Sequence, residues 1–494
     1  MRRTDATCRG AVAWVSALFL GLPLAGCMLG PDYKRPDLDV PTQYRSATPM
    51  GAVDAAATES AWWQQFNDPA LDALISEGLR NNQDLVAAAA RVEQFYGVLG
   101  TTRSQLFPQV GAQVSGSRTR ASEQTITRAP SINPYNAYQA SLLLSWEIDL
   151  FGRTRRLTEA ATAELEASEA FRRGTVLSVV TAITSGYVNL REQDRELEVS
   201  RETLGLRLDA LNLFERRFKG GVVSEVEVSQ ARSEYATALR SIPLLEQSIV
   251  QLENALANLV GRNPGPIARG KPIDQLMLPP VPAGLPSDLL ERRPDIRQAE
   301  QSMIAANARI GAAKAAYFPT ISLTGAFGQA SRSLSDLWEG PSRLWTYGAD
   351  IAMPIFTAGA IAGQVTSAEA AQRASVAQYR KAVQAAFGET ENALSGITTS
   401  RTALDAQLMQ VAALDNYARL ARRRFEGGYT SYLEVLDADR ALFSARLQLA
   451  QQQGSVLLQS AALYRSLGGG WVDVADKEAP QPGVNVSERP RIFP

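Results

Sequence analysis

The side chains that most often do chemistry are nearly missing from this chain. Its 494 residues include no histidine, so the commonest general base and metal ligand is unavailable. Ser-His-Asp and Cys-His catalysis in their usual forms are excluded. Cys8 and Cys27 are the only cysteines, too few for a disulfide framework or a zinc site. There is no glycine-rich phosphate loop and no cluster of carboxylates at a strand end, so neither an enzyme nor a cofactor or metal is expected. A formal net charge of -1 with 45% hydrophobic and 20% charged residues is ordinary for a folded protein and offers no basic surface for nucleic acid. The reactive groups that remain sit in three places. Cys27 follows an apolar leader. Glu147, Asp149 and Asp350 lie on alternating stretches. Arginines stand at a turn that occurs twice, with aspartates close to its second copy.

Cys27 comes first. Arg2 and Arg3 precede an apolar run over 11–25, too short for a membrane span and right for a signal peptide over 1–26. Leu24-Ala25-Gly26-Cys27 resembles a bacterial lipobox, which implies cleavage before Cys27 and lipidation there. The alternative is an ordinary signal peptide with a chance cysteine. Met28, not an aspartate, follows, and by resemblance to lipoprotein sorting that favours the outer membrane. Each buried acyl methylene contributes about 0.8 kcal/mol, so several chains anchor firmly. Residues 27–60 then read as a tether, able to extend about 100 Å and run down the outside of whatever lies below.

The acids belong to strands. From Tyr138 to Leu150 every second residue is apolar, and Glu147 and Asp149 fall on the other face. Strands are expected over about 109–118, 138–150, 319–330 and 344–356, the last carrying Asp350. Each is about ten residues long, enough to cross an outer membrane when tilted. Aromatics sit near the ends of the oily face, as in an interfacial girdle. Four strands of a sandwich are the alternative, but these come as isolated pairs separated by long helices. In lipid every backbone group must be paired, and four strands do not close a barrel, so copies must share one. Two copies give eight strands and three give twelve, and the pattern alone leaves both open. The acids then line a lumen or form salt bridges between strands.

The third group sits on a duplicated frame. "RRFKGGVVSEVEV" (216–228) returns as "RRFEGGYTSYLEV" (423–435), and "SQLFPQV" (104–110) resembles "AAYFPTI" (315–321), so the chain is an internal repeat. A seven-residue series, Val176, Ile183, Leu190, Leu197, Leu204, Leu211, Phe218, is matched by Val383, Thr390, Ile397, Leu404, Val411, Ala418, Phe425. That spacing marks coiled-coil helices, here about 152–218 and 358–425, each about 100 Å long. Gly220-Gly221 and Gly427-Gly428 stop them. Ser224 and Ser431, each with a glutamate three residues on, restart return helices over 224–261 and 431–468 as capping boxes. The first repeat therefore spans 61–261 and the second 295–469. Residues 262–294 form an equatorial connector, with 61–80 and 470–494 completing a belt whose C-terminal tail is expected to be disordered. Near the second turn, ion pairs among Arg422, Arg423, Arg424, Asp437 and Asp439 are candidates to latch the helical end.

The segment "AWWQQFNDPALDALISEGLRNNQDLVAAAARV" (61–92), the paired strands and the twin turns resemble the outer membrane factor family, TolC-like channels, and within it the lipidated NodT-type efflux lipoproteins. The resemblance covers nearly the whole mature chain. It implies a mainly α fold with membrane β-strands, in a homotrimer sharing a twelve-stranded barrel continued by a periplasmic α-barrel. It implies that Arg217, Gly220, Gly221, Ser224, Arg424, Gly427, Gly428 and Ser431 are tips that dock a periplasmic adaptor, below which sits an inner-membrane pump of the resistance-nodulation-division type. Passive conduction of small toxic compounds follows. A protein-secretion duct of the same architecture and a structural coiled-coil lipoprotein are the other readings.

Overall fold

The computed structural model describes residues 28–38, 40, 41, 44, 45, 61–124, 131–279, 289–468 and 471–488. The leader and Cys27, with the expected cleavage and lipidation, lie outside the described residues.

Two helices of 67 residues each run the length of the molecule, α3 (Arg153–Lys219) and α7 (Ala360–Glu426). Each is returned by an antiparallel partner, α4 (Glu225–Leu259) and α8 (Tyr432–Leu467). The helices α1 (Pro69–Asn81) and α2 (Gln83–Ser104) lead into the first strand pair, and α5 (Leu289–Arg292) and α6 (Pro294–Ala315) into the second. The seven-residue series is the packed seam of α3 down to Leu211. Phe218 departs from it, being 44% exposed, while Phe214 is 1% exposed. A straight helix drifts by about 20° per heptad, and over this length the buried face moves off a strict period of seven.

The strands β1 (Gln109–Thr119), β2 (Tyr135–Ile148), β3 (Thr320–Ser331) and β4 (Arg343–Ala352) form one antiparallel sheet in that order. Val110, Leu144, Gly325 and Tyr347 make one cross-strand row, and Ala112, Leu142, Phe327 and Trp345 another. Nothing covers this apolar face: Val114, Leu142, Phe327, Trp345, Tyr347 and Ile351 are all more than half exposed. A sandwich would have buried it. Two strand ends fall short of expectation. β2 stops before Leu150, where Asp149 turns the chain into α3, and β4 stops at Ala352, because Pro354 has no N–H to continue the ladder. Among the described residues no helix is long and apolar enough to cross a membrane.

The segments outside the repeats gather round the middle of α3 and α8. Trp62 stacks on Tyr464 with ring centroids 5.0 Å apart and meets Trp63, Phe66 and Trp471 edge-on. Leu71, Ile75, Ile267 and Ile273 join Ile183, Leu190, Leu457 and Ala461 in the same core. Beside it the fully buried Asp68 accepts from Tyr187 Oη at 2.7 Å and from the backbone N–H of Ala70 and Lys271.

The expected disordered tail is instead packed over 471–488. The helix α9 (Trp471–Asp476) buries Trp471 in the equatorial core. Arg172 of α3, 2% exposed, ion-pairs with Asp476 at 2.6 Å and with Glu169 at 2.7 Å. Further on, the Gly483 N–H donates to Glu93 of α2, and Val486 packs with Val92, Leu99 and Leu165. The N-terminal strap, the described residues from 28 to 45, runs from the first repeat onto the second. It begins at the strand–helix junction, where the Leu29 N–H donates to Phe151 O and Arg156 donates to Leu29 O. Arg35 grips Glu300 of α6 with two 2.7 Å hydrogen bonds, and Tyr33 Oη donates to the same carboxylate at 2.9 Å. Tyr44 ends against Ala393, Ile397 and Leu463 at the equator.

The strap crosses α6 at Gly311, where a Cβ would lie 2.4 Å from Leu29 O. Gly311→Val is therefore expected to lift the strap while leaving the helices intact. Limited trypsin digestion of the membrane-inserted protein checks this. Cleavage after Lys34 should become faster by on the order of tenfold, with the helical fragments unchanged.

Candidate hairpin tips and channel wall

The two tips are built by the same backbone device. Gly221 and Gly428 adopt φ of +69° and +77°, a conformation that costs glycine least. The N–H of Val222 reaches back to Arg217 O and that of Tyr429 to Arg424 O, both at 2.9 Å. These are Schellman-like stops. The restarts differ. At Ser224 the backbone N–H donates to Glu227 Oε2 at 2.7 Å, closing the capping box. At Ser431 the expected box does not form. Glu434 is held by Arg424 at 2.7 Å and by the Thr430 hydroxyl, because a guanidinium outcompetes a neutral amide for a carboxylate.

Above the turns the hairpins share an apolar cluster. Phe214 of α3 lies 4.1 Å from Tyr432 of α8, centroid to centroid, and Phe425 lies 5.5 Å from Tyr432. Leu211, Val228 and Ala231 from one hairpin meet Ala421, Val435 and Leu436 from the other. The Arg217 guanidinium sits over the Phe425 ring at 5.7 Å.

The charged residues expected to latch this end are only partly brought together. Arg422 pairs with Asp439 at 3.2 Å, within one hairpin, and burial pushes the Asp439 carboxyl up despite that partner. Arg424 goes to Glu434 instead. Arg423 and Asp437 are exposed and make no ion pair among the described residues. The charge that joins the two hairpins is Glu234 of α4, 6% exposed. It takes Arg207 of α3 at 3.0 Å and Arg440 of α8 at 2.5 Å. Arg207 also donates to Glu234 O at 2.8 Å and lies 4.9 Å from the Phe443 ring centroid. Burial holds its guanidinium below the ordinary value. No local pattern marks this trio, since its members lie on three helices. Only the register of the packed helices could reveal it.

On the sheet, Glu147, Ser322 and Asp350 occupy one cross-strand row, on the face opposite the apolar rows. Glu147 pairs with Arg153 at 2.9 Å, a bridge from strand to helix rather than between strands. Asp350 is exposed. Asp149 is not a strand acid. It lies just past β2 and caps α3, accepting from the backbone N–H of Thr154 at 3.1 Å and Arg155 at 2.9 Å, and from the Arg155 side chain at 3.2 Å. A carboxylate beside the positive end of a helix is stabilised there.

Residues 74–262 and 285–469, which hold both strand pairs and both hairpins, match the outer membrane efflux protein family. The chain belongs to that family. It is 38% identical over 475 residues to the toluene efflux pump outer membrane protein TtgC of Pseudomonas putida, covering 95% of this chain and 97% of that one. It is 34% identical over 458 residues to the cation efflux system protein CusC of Escherichia coli, covering 92% and 97%. The outer-membrane channel OprN superimposes with a TM-score of 0.83 at 30% identity, over 90% of this chain and 100% of that one. The fold of this outer membrane efflux protein is that of the trimeric, TolC-type channels. It sits in the outer membrane and its helices extend into the periplasm.

In this outer membrane efflux protein, Glu234 is the charge that ties the two hairpins together. Leaving the buried Arg207 guanidinium without its carboxylate costs about 3 kcal/mol. Glu234→Ala is expected to raise amide hydrogen exchange around 207–214 and 432–440 by on the order of 100-fold. Asp437→Ala, at an exposed residue without an ion pair, should leave exchange unchanged. Exchange mass spectrometry on the intact protein distinguishes the two.

Proposed function

We propose that three copies of this chain form one passive duct through which small toxic compounds leave the periplasm. The observation that carries the reading is the sheet: one uncovered apolar face, one polar face, and two open edges, β1 and β4. Lipid tolerates the first and forbids the last. Three sheets give a closed barrel of twelve strands, wide enough for a lumen, whereas eight strands leave an interior filled by side chains. The row of Glu147, Ser322 and Asp350 then faces water. Asp350 gives that wall a net negative character, since Glu147 is offset by Arg153.

The driving force must come from a partner, because the chain has no nucleotide-binding loop. The twin tips, with Arg217, Gly220, Gly221, Ser224, Arg424, Gly427, Gly428 and Ser431, dock the hairpins of a periplasmic adaptor. The adaptor in turn seats an inner-membrane pump. Lipidation at Cys27 anchors each copy, and the strap supports this reading, because Leu29 is hydrogen-bonded at the base of the sheet where an acyl chain would enter the inner leaflet. Relatives are named for toluene and for cations; this chain takes small compounds of that toxic class.

A deletion strain should be hypersensitive to unrelated dyes, detergents, antibiotics or metal ions, and the intact gene should restore resistance. Retention of an exported protein with unchanged susceptibility would move the reading to secretion. Gly428→Val tests the tips. A β-branched residue at φ +77° distorts the turn by sterics, so trimers should form and reach the outer membrane while resistance falls to the level of the deletion.

A further inference from the structure

Between the equatorial core and the tip cluster, α3 and α8 meet along a polar stretch. Glu192, Glu196 and Ser200 stand four residues apart on α3 and so share a face. Gln451 and Gly454 of α8 lie opposite. Gln451 Nε2 donates to Glu196 Oε1 at 2.7 Å, and Gln193 Nε2 to Glu196 Oε2 at 3.4 Å. Glu196 is 6% exposed. The Glu192 carboxylate occupies the space beside Gly454 that any side chain there would need. The fully buried Ser200 hydroxyl has no hydrogen-bond partner.

No cation is set against this pair of acids among the described residues. α8 carries no Lys, Arg, Asp or Glu between Arg446 and Arg465. On α3, Arg191 pairs with Asp194 and Arg195 with Glu198. Arg201 pairs with Glu246 of α4. In the loop after α4, Arg269 is shared by Asp194 and Glu253, and Lys271 offers its backbone oxygen to Arg191. Two carboxyl groups in a helix–helix contact, one of them against bare backbone, pack best when at least one is neutral.

We propose that Glu192 and Glu196 form a proton-operated seam between the two repeats, seated against α8 when protonated and loosened when ionised. This goes beyond the duct reading, since it concerns packing within one protomer. Burial, followed by the charge of Glu196, pushes Glu192 up to about 7. Burial raises Glu196 too, against the opposing hydrogen bond from Gln451. The sign follows from linkage. A solvated glutamate loses its proton near 4.5, whereas the packed Glu192 keeps it to about 7. Seating is therefore favoured in acid, weakens as pH rises through that window, and is weakest above it. The seam lies between the equatorial core and the tip cluster, so loosening it would leave the tips joined to the core by fewer contacts.

Hydrogen exchange of the full-length protein in lipid vesicles, corrected for the intrinsic pH dependence of exchange, tests this. Protection over 190–202 and 448–456 should fall by on the order of tenfold between pH 5.5 and pH 8. In Glu192→Gln it should stay near the acid value at both. A pH dependence that survives Glu192→Gln, or none in the unmodified protein, overturns the proposal. Infrared spectroscopy of the unmodified protein gives a reading that needs no variant. A protonated carboxyl band should persist at pH 6 and vanish above about pH 8, and its absence at pH 6 also overturns the seam. A seam that titrates as expected in a protein that fails to restore resistance would leave the seam standing and sink the duct.

Discussion

An unpaired strand edge in hydrocarbon is the constraint from which the rest of this molecule follows. Each bare N–H or C=O there costs several kcal/mol, and the described residues of this chain bring a sheet of four strands with two open edges. The chain must complete its sheet with other copies, and a barrel of twelve strands is too wide for side chains to fill. A hollow barrel in turn needs a hollow continuation. The paired 67-residue helices supply it, because a seam on one side of a long helix lays it against neighbours as a stave and leaves the opposite side free. Conduction is thus a by-product of satisfying backbone hydrogen bonds in lipid.

The duplicated frame shows which parts of the architecture tolerate no alternative. Gly152, Gly221 and Gly261 recur as Gly359, Gly428 and Gly468, and all six have φ between +58° and +85°. They mark where each long helix starts, where it turns back, and where its return ends. Side chains between these fixed points have diverged. Arg172 holds the C-terminal segment through Asp476, whereas Tyr379, at the equivalent place in the second repeat, is buried against the N-terminal strap. Backbone geometry was kept and surface recognition was rewritten.

The elements legible in the amino-acid order were those set by short-range periodicity. Alternation over 138–148 places the strand and its two faces, and the glycine pairs place the turns. Pairings that depend on three-dimensional register were not legible. Arg207, Glu234 and Arg440 come together only once three helices are packed. Glu434 has the spacing of a cap for its own helix, yet Arg424 takes its carboxylate. Asp149 continued an alternating pattern, yet the pull of a helix start next to it decided its role. Residues 471–488 lack periodicity, and nothing local announces that Trp471 completes an aromatic cluster begun at Trp62.

The two ends of the chain have a consequence for how it folds. The N-terminal strap, next in sequence to the first repeat, starts on its strand–helix junction and then crosses to the second, over α6 and α7. The C-terminal segment, which follows the second repeat, docks on the first, across α2 and α3. Each half is completed in part by the end that belongs to the other. Neither repeat reaches its final packing alone, so the chain should behave as one cooperative unit despite its two-part ancestry.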